Sequence, residues 1–209
     1  VGIDLSGHGR SEDISTEPGP ATLSAYVADV LAVARATDAD VLVGNSLGGA
    51  VLLELLVEGA YDPAGVVLAG TGAKLAVAEQ YRTALAEEFD RAIELLHREN
   101  RLFHDPDPEV LDRSIEAMSA VGQAVTRRDF MTAHVFDIRD RLAAIETPAL
   151  AVVGEHDELT PPWYHEYLAA ELPRCERAVI ADAAHLAMIE QSRAFTAALE
   201  AFLDGLSAY

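Results

Sequence analysis

The chain has 209 residues, half of them hydrophobic and 24% charged, which is the composition of a folded globular domain. Its 35 Asp and Glu outnumber 15 Lys and Arg, for a formal charge of −20, so it lacks the cationic surface that nucleic acid or an anionic membrane demands. No apolar run reaches the roughly 18 residues of a membrane span; the most apolar stretch, Ala50 to Val57, is cut by Glu54.

In chain order, Val1–Asp4 is a short apolar run that reads as a strand, followed by turn-rich sequence through Pro20. Thr22 is a candidate helix N-cap, because Leu23, Tyr26, Val27, Val30, Leu31 and Val33 recur behind it at helical spacing. Val41–Val43 reads as a buried strand, and a helical pattern runs from Leu47 to about Gly59. Gly65–Ala69, Ala149–Val153 and Ala178–Ala181 are further strands, with helical segments at Trp163–Leu172 and Leu186–Leu206. Strands alternating with helices imply an α/β fold with a mostly parallel sheet. Between Gly70 and Ile145 the alternation stops, and Ala76–Glu99, Pro108–Val121 and Arg127–Leu142 are candidate helices. Such a block reads as an inserted lid.

Cysteine and lysine are nearly absent. Cys175 is alone and can form neither an intrachain disulfide nor a zinc cluster, which points to a reducing cytoplasm. Lys74 is the single lysine among 14 arginines. An acidic surface poor in lysine suits a salt-rich, halophilic cytoplasm, where repulsion is screened; a GC-rich genome yields the same bias.

The sharpest chemical signal is Gly44-Asn45-Ser46-Leu47-Gly48-Gly49, a G-x-S-x-G sequence lying directly between a strand and a helix. The glycines allow the backbone to turn without a Cβ clash, and the serine is lifted to the apex. The helix N-terminus beneath it offers free N–H groups to a developing oxyanion. A serine needs a base, and the base an orienting acid. Two later strand ends can supply them. Ala149–Val153 runs into Gly154-Glu155-His156-Asp157, and Ala178–Ala181 into Asp182-Ala183-Ala184-His185. Carboxyl ends of strands are where open α/β sheets place their sites.

Of seven histidines, only His185 has the strand, loop, helix setting of a catalytic base. His8, in Gly7-His8-Gly9, is better suited to holding a loop. His97, His104 and His134 fall in the helical block, His156 adjoins the acid, and His165 sits on a helix. Glu155, Glu158 and Asp182 are local rivals to Asp157. Glu109, Asp112 and Glu116 read as a solvated helix face.

With these residues assembled, the chain resembles the α/β-hydrolase superfamily. The resemblance rests on Asp4-Leu5-Ser6-Gly7-His8-Gly9-Arg10-Ser11, the elbow Gly44–Gly49, Gly154-Glu155-His156-Asp157-Glu158-Leu159-Thr160-Pro161, and His185 with Glu190 five residues on. Asp157–Pro162 and Ala183–Gln191 are most similar to the 3-oxoadipate enol-lactonase branch. The resemblance implies an α/β-hydrolase fold with Ser46 as nucleophile, His185 as base and then acid, and Asp157 as orienter. The Leu47 N–H would be one oxyanion donor, with Asn45 beside it at the substrate. Residues 1–71 and 146–209 would form the core and 72–145 a helical cap. A small-molecule ester or lactone is the expected substrate, with no metal or cofactor implied. In this fold Val1–Asp4 would be the fourth strand, so strands one to three are missing and more chain is expected before Val1. Alternatively, Val1–Asp4 pairs with Val41–Val43 and closes a smaller sheet.

Two other functions fit the same motifs. Gly44-Asn45-Ser46 also begins the elbow of carbon–carbon hydrolases from aromatic ring cleavage. A hydrolase-like shell can also act as a non-catalytic binding protein.

Overall fold

The computed structural model describes residues 1–98 and 101–206. Val41–Asn45 (β1), Gly65–Ala69 (β2), Ala149–Gly154 (β3) and Cys175–Ile180 (β4) form one parallel sheet in the order β1-β2-β3-β4. The register sets Asn45 opposite Ala69, Ala69 opposite Val152, and Gly154 opposite Ile180. All four carboxyl ends therefore open on one edge.

Pro20–Thr37 (α1), Leu47–Val57 (α2) and Pro162–Glu171 (α7) connect or flank these strands, and Ala187–Glu190 (α8) and Ser192–Leu206 (α9) close the chain. The two-residue period of β2 divides the core. Val66 and Leu68 pack in the cluster with Tyr26, Leu53 and Leu168, whereas Val67 and Ala69 pack with Ile180, Phe195 and Phe202. β2 and β3 are buried along their whole length, as a sheet covered on both faces requires. Each such fully buried aliphatic side chain contributes about 1.5–3 kcal/mol.

Among the described residues, the segment between β2 and β3 holds Glu79–Glu87 (α3), Phe89–Arg98 (α4), Pro108–Val121 (α5) and Gln123–Val135 (α6), with one isolated antiparallel bridge between Lys74 and Asp137 and no further strand. The expected helix Ala76–Glu99 is in fact two, separated at Glu88, where the backbone leaves the helical region (φ −141°, ψ 66°); Glu99 lies outside the described residues. The expected helix Arg127–Leu142 begins earlier, after Gly122, and ends at Val135. The predicted helix Leu186–Leu206 is likewise broken, at Gln191.

Three further expectations need correction. Thr22 is not a cap; α1 begins at Pro20, whose fixed φ suits a first helical position, and the Thr22 hydroxyl donates to the Glu17 carbonyl. β4 begins at Cys175, not Ala178, because an edge strand with an exposed Glu-Arg pair carries no apolar signal. Val1–Asp4 is not a strand: Val1 is fully exposed and no described hydrogen bond joins residues 1–4 to β1. A groove of about 560 Å³ separates Val1, Ile3 and Leu5 from Val41 and Val43. The smaller rebuilt sheet does not form, and Val43 stays exposed on the β1 edge.

One close approach locks the strand ends together. A Cβ on Gly154 would lie 2.1 Å from the Ala184 carbonyl oxygen and 2.4 Å from that of Ala183. Gly154→Ala should therefore displace the 181–185 loop and lower unfolding free energy by about 2 kcal/mol or more. Gly205→Ala, on α9 with open space around its Cβ position, should instead stabilise by about 0.5–1 kcal/mol. Urea denaturation of the two variants checks the contrast.

Candidate active site

Ser46 occupies the turn from β1 into α2. Its backbone has φ 53° and ψ −117°, in the positive-φ region that a side chain rarely adopts. Neighbouring groups hold it there. The Ser46 N–H donates to the Ala69 carbonyl at 2.9 Å, and the Thr71 hydroxyl donates to the Ser46 carbonyl at 2.7 Å. The turn is tight because Gly44 faces Gly48: a Cβ at Gly44 would lie 2.5 Å from the Gly48 carbonyl oxygen. The N–H groups of Leu47 and Gly48, first in α2, have no acceptor within the helix.

Asp157 lies just past the end of β3 and is almost wholly buried. Four donors converge on it. The Leu159 and Thr160 N–H groups reach Oδ1 at 2.8 and 2.9 Å; the Thr160 hydroxyl and His185 Nδ1 reach Oδ2 at 2.8 and 2.9 Å. Burial alone would push this carboxyl up. The charge and hydrogen bond of His185, with the two Thr160 bonds, outweigh it and hold the group below the usual carboxylate range. His185 is 5% exposed and, donating from Nδ1, keeps Nε2 free as the basic nitrogen. Gly70 joins this pair to the elbow. A Cβ there would meet Asn45 Nδ2 at 3.0 Å and His185 Nδ1 at 3.2 Å, so Asn45 and His185 both pack against this one backbone position. Asn45 Nδ2 also donates to the Ala69 carbonyl, which fixes its side chain at the β2 end.

A cavity of about 230 Å³ opens beside Ser46. Leu47, Leu75, Val77, Phe130, Ala133 and Leu159 give it apolar walls; Asn45, Thr160 and Asp129 add polar edges. Of the aromatic residues in the helical block, Phe130 lines it, while Phe103 is buried among α3 to α5 side chains and Phe136 belongs to the main core. Trp163 is exposed and stacks edge-on against Tyr164, away from this cavity.

The remaining histidines take structural partners. His8 bridges the Ser6 carbonyl and Asp129, whose other oxygen accepts from Tyr26 at 2.6 Å. The Asp129 hydrogen bond raises the His8 pKa against the effect of its burial. His97 contacts Ile93 and Ser114, and His134 accepts from the Val77 N–H. His165 is fully buried under the site, and its Nε2 accepts from the Thr71 N–H at 3.1 Å. His104 and His156 stack on each other near Asp182.

Glu190 supports the site in a way that residue spacing did not disclose; only the resemblance had singled it out. Its Oε1 accepts the N–H groups of His104 and Asp105 and its Oε2 that of Ala184, so one carboxylate ties the 101–107 loop to the loop carrying His185. Arg101 and Glu158 form an ion pair across the same junction.

A parallel sheet, a strained serine between strand and helix, and a buried Asp–His pair at the same edge define the hydrolase class of α/β fold. The chain belongs to the Alpha/beta hydrolase family, whose model matches residues 1–199. It is 29% identical over 218 residues to pimeloyl-[acyl-carrier protein] methyl ester esterase of Neisseria meningitidis, covering 98% of this chain and 82% of that one. It is 26% identical to 3-oxoadipate enol-lactonase 1 of Acinetobacter baylyi, covering 99% and 79%. A thermophilic esterase from Thermogutta terrifontis superposes with a TM-score of 0.81 at 25% identity, over 97% of this chain and 78% of the other. The chain is accordingly an enzyme of the carboxylic ester hydrolase kind. No described helix is long and apolar enough to cross a membrane.

Two outcomes follow from these contacts. Glu190→Ala leaves three N–H groups without their acceptor and should lower unfolding free energy by about 1–3 kcal/mol, read by chemical denaturation. Burial pushes the His165 pKa down to about 4. The unfolded chain then takes up a proton that the folded one refuses, so this contribution is complete above about pH 6.5 and disappears as pH falls towards 4. Urea unfolding at pH 7 and pH 4.5 should show a smaller difference in His165→Asn than in the wild type.

Proposed function

We propose that the protein cleaves a small carboxylic ester or lactone through an acyl-enzyme on Ser46. The observation that carries this reading is the buried Asp157–His185 hydrogen bond at the edge where Ser46 sits, with His185 and Asn45 both packed against Gly70. In this mechanism His185 Nε2 accepts the Ser46 proton as Oγ attacks the substrate carbonyl. Asp157, kept ionised by its donors, stabilises the imidazolium that forms and fixes the Nδ1–H tautomer. The oxyanion is received by the Leu47 N–H, aided by the α2 N-terminus. His185 then protonates the leaving oxygen, and a water activated by the same nitrogen releases the acid.

The apolar cavity beside Ser46 supports an uncharged aliphatic or cyclic acyl group, with the helical block from 72 to 145 acting as its cap. The named activities of the relatives, a methyl ester esterase and an enol-lactonase, agree with ester or lactone cleavage. The scarcity of cysteine supports a cytoplasmic location, and the acidic, lysine-poor composition a salt-rich one.

Hydrolysis of short p-nitrophenyl esters tests the proposal. Ser46→Ala should cut turnover by at least about 10³-fold with the circular dichroism spectrum unchanged, and Asp157→Asn by about 10⁴-fold. A fluorophosphonate should label Ser46. A folded, unlabelled protein would reject the acyl-enzyme and favour a binding role; turnover of vinylogous diketones in place of esters would favour carbon–carbon cleavage.

A further inference from the structure

Beside the Asp157–His185 pair stands a second cluster that the proposed hydrolysis does not use. His104, in the loop between α4 and α5, His156, next to Asp157, and Asp182, at the end of β4, each present one ligand atom, all within 4.8 Å of one another. The two imidazoles stack with centroids 3.8 Å apart and planes 18° from parallel. We propose that these three side chains bind one divalent cation of the late first-row kind, zinc or cobalt being the simplest probes.

Geometry, donor chemistry and charge carry the assignment. The ligands come from three separate segments, yet each backbone is already fixed. The His104 N–H is held by Glu190 at 2.7 Å and the His156 N–H by the Ala183 carbonyl at 2.9 Å. Asp182 is held at a positive φ of 52°, with its carbonyl accepting from Gln191. Binding thus requires side-chain rotation alone. His156 and Asp182 are exposed and His104 half-buried, so the rings have room to fan apart. Cation-to-ligand distances of about 2.0–2.2 Å ask for ligand spacings near 3.3 Å, a closing movement of roughly 1.5 Å at most.

The donor set selects the cation. Two imidazole nitrogens and one carboxylate oxygen suit zinc, cobalt or nickel, whereas calcium and magnesium require mostly oxygen. Charge favours a cation as well: Asp182 is joined by Glu155, whose carboxylate lies 3.9 Å from His156 Nε2. Position gives the site its consequence. A bound cation would pin the 101–107 loop to the loops bearing Asp157 and His185, reinforcing the link already made by Glu190. It would stabilise the rim of the active site without entering the reaction.

The test uses tag-free protein. Cobalt(II) titration followed by visible absorption and zinc titration followed by calorimetry should each give one cation per chain. Zinc at a hundredfold excess over Kd should raise Tm by roughly 5 °C or more, reversed by EDTA. His104→Gln, His156→Gln and Asp182→Asn should each raise Kd by about tenfold or more, whereas Ser46→Ala should bind as the wild type does. Absence of binding in the wild type overturns the proposal, as does binding that survives unchanged in either histidine variant or in Asp182→Asn. All three substitutions fall on side chains outside the buried core, and unaltered circular dichroism separates lost binding from lost fold.

Discussion

A single buried carboxylate organises this edge of the molecule. Asp157 would be driven to its neutral form by its surroundings were it not met by four donors. Two of these are N–H groups of its own loop, so the charge folds the 157–160 turn around itself. The other two come from the Thr160 hydroxyl and from His185 Nδ1, and the last of these fixes the imidazole. A buried ion that lost one partner would be left uncompensated, a loss of about 3–5 kcal/mol in comparable cases, which makes the loop, the strand end and the histidine one cooperative unit. The positive φ of Ser46 is tolerated for a related reason: its N–H and carbonyl are both engaged by the β2 end.

How far the sequence discloses this depends on the range of each interaction. The elbow was legible because its glycines answer to a turn a few residues long. The strand ends bearing Asp157 and His185 were legible because apolar β-branched runs followed by polar loops are local patterns as well. The helical block was visible by the absence of strands. Its internal break at Glu88 was not, nor the one at Gln191 near the end of the chain: neither residue is a glycine or proline, so no local breaker marks the place where the backbone leaves the helical region. The polar start of β4 was hidden because an edge strand needs no apolar alternation. Val1–Asp4 misled for the opposite reason, since an apolar run becomes a strand only where a neighbour completes its ladder. The meeting of His104, His156 and Asp182 had no sequence signal, as three residues far apart in the chain have no ligand spacing to recognise.

The large acidic excess acquires a structural sense from these contacts. Carboxylates in this chain often take backbone N–H groups in loops: Asp29 accepts from Ser6, Asp157 from Leu159 and Thr160, and Glu190 from His104, Asp105 and Ala184. Loops at the carboxyl edge of a sheet are rich in N–H groups that no ladder satisfies, and an ionised oxygen is the strongest acceptor available to them. Part of the negative charge is therefore internal, joining loops that carry the site.

Carboxylates also tie the helical block to the rest of the chain. Asp129 on α6 is held by His8 and Tyr26, Glu190 by the 101–107 loop, and Glu158 by Arg101. Of these, Asp129 also lines the cavity beside Ser46. The rest of its wall is largely apolar, with Leu75, Val77, Phe130 and Ala133 contributing. Polar contacts are directional and fix position, whereas apolar walls tolerate ligands of varied shape. The arrangement therefore fixes Asp157 and His185 at the sheet edge by directional bonds and leaves an apolar surface beside Ser46, which in the proposed reaction would receive the acyl group.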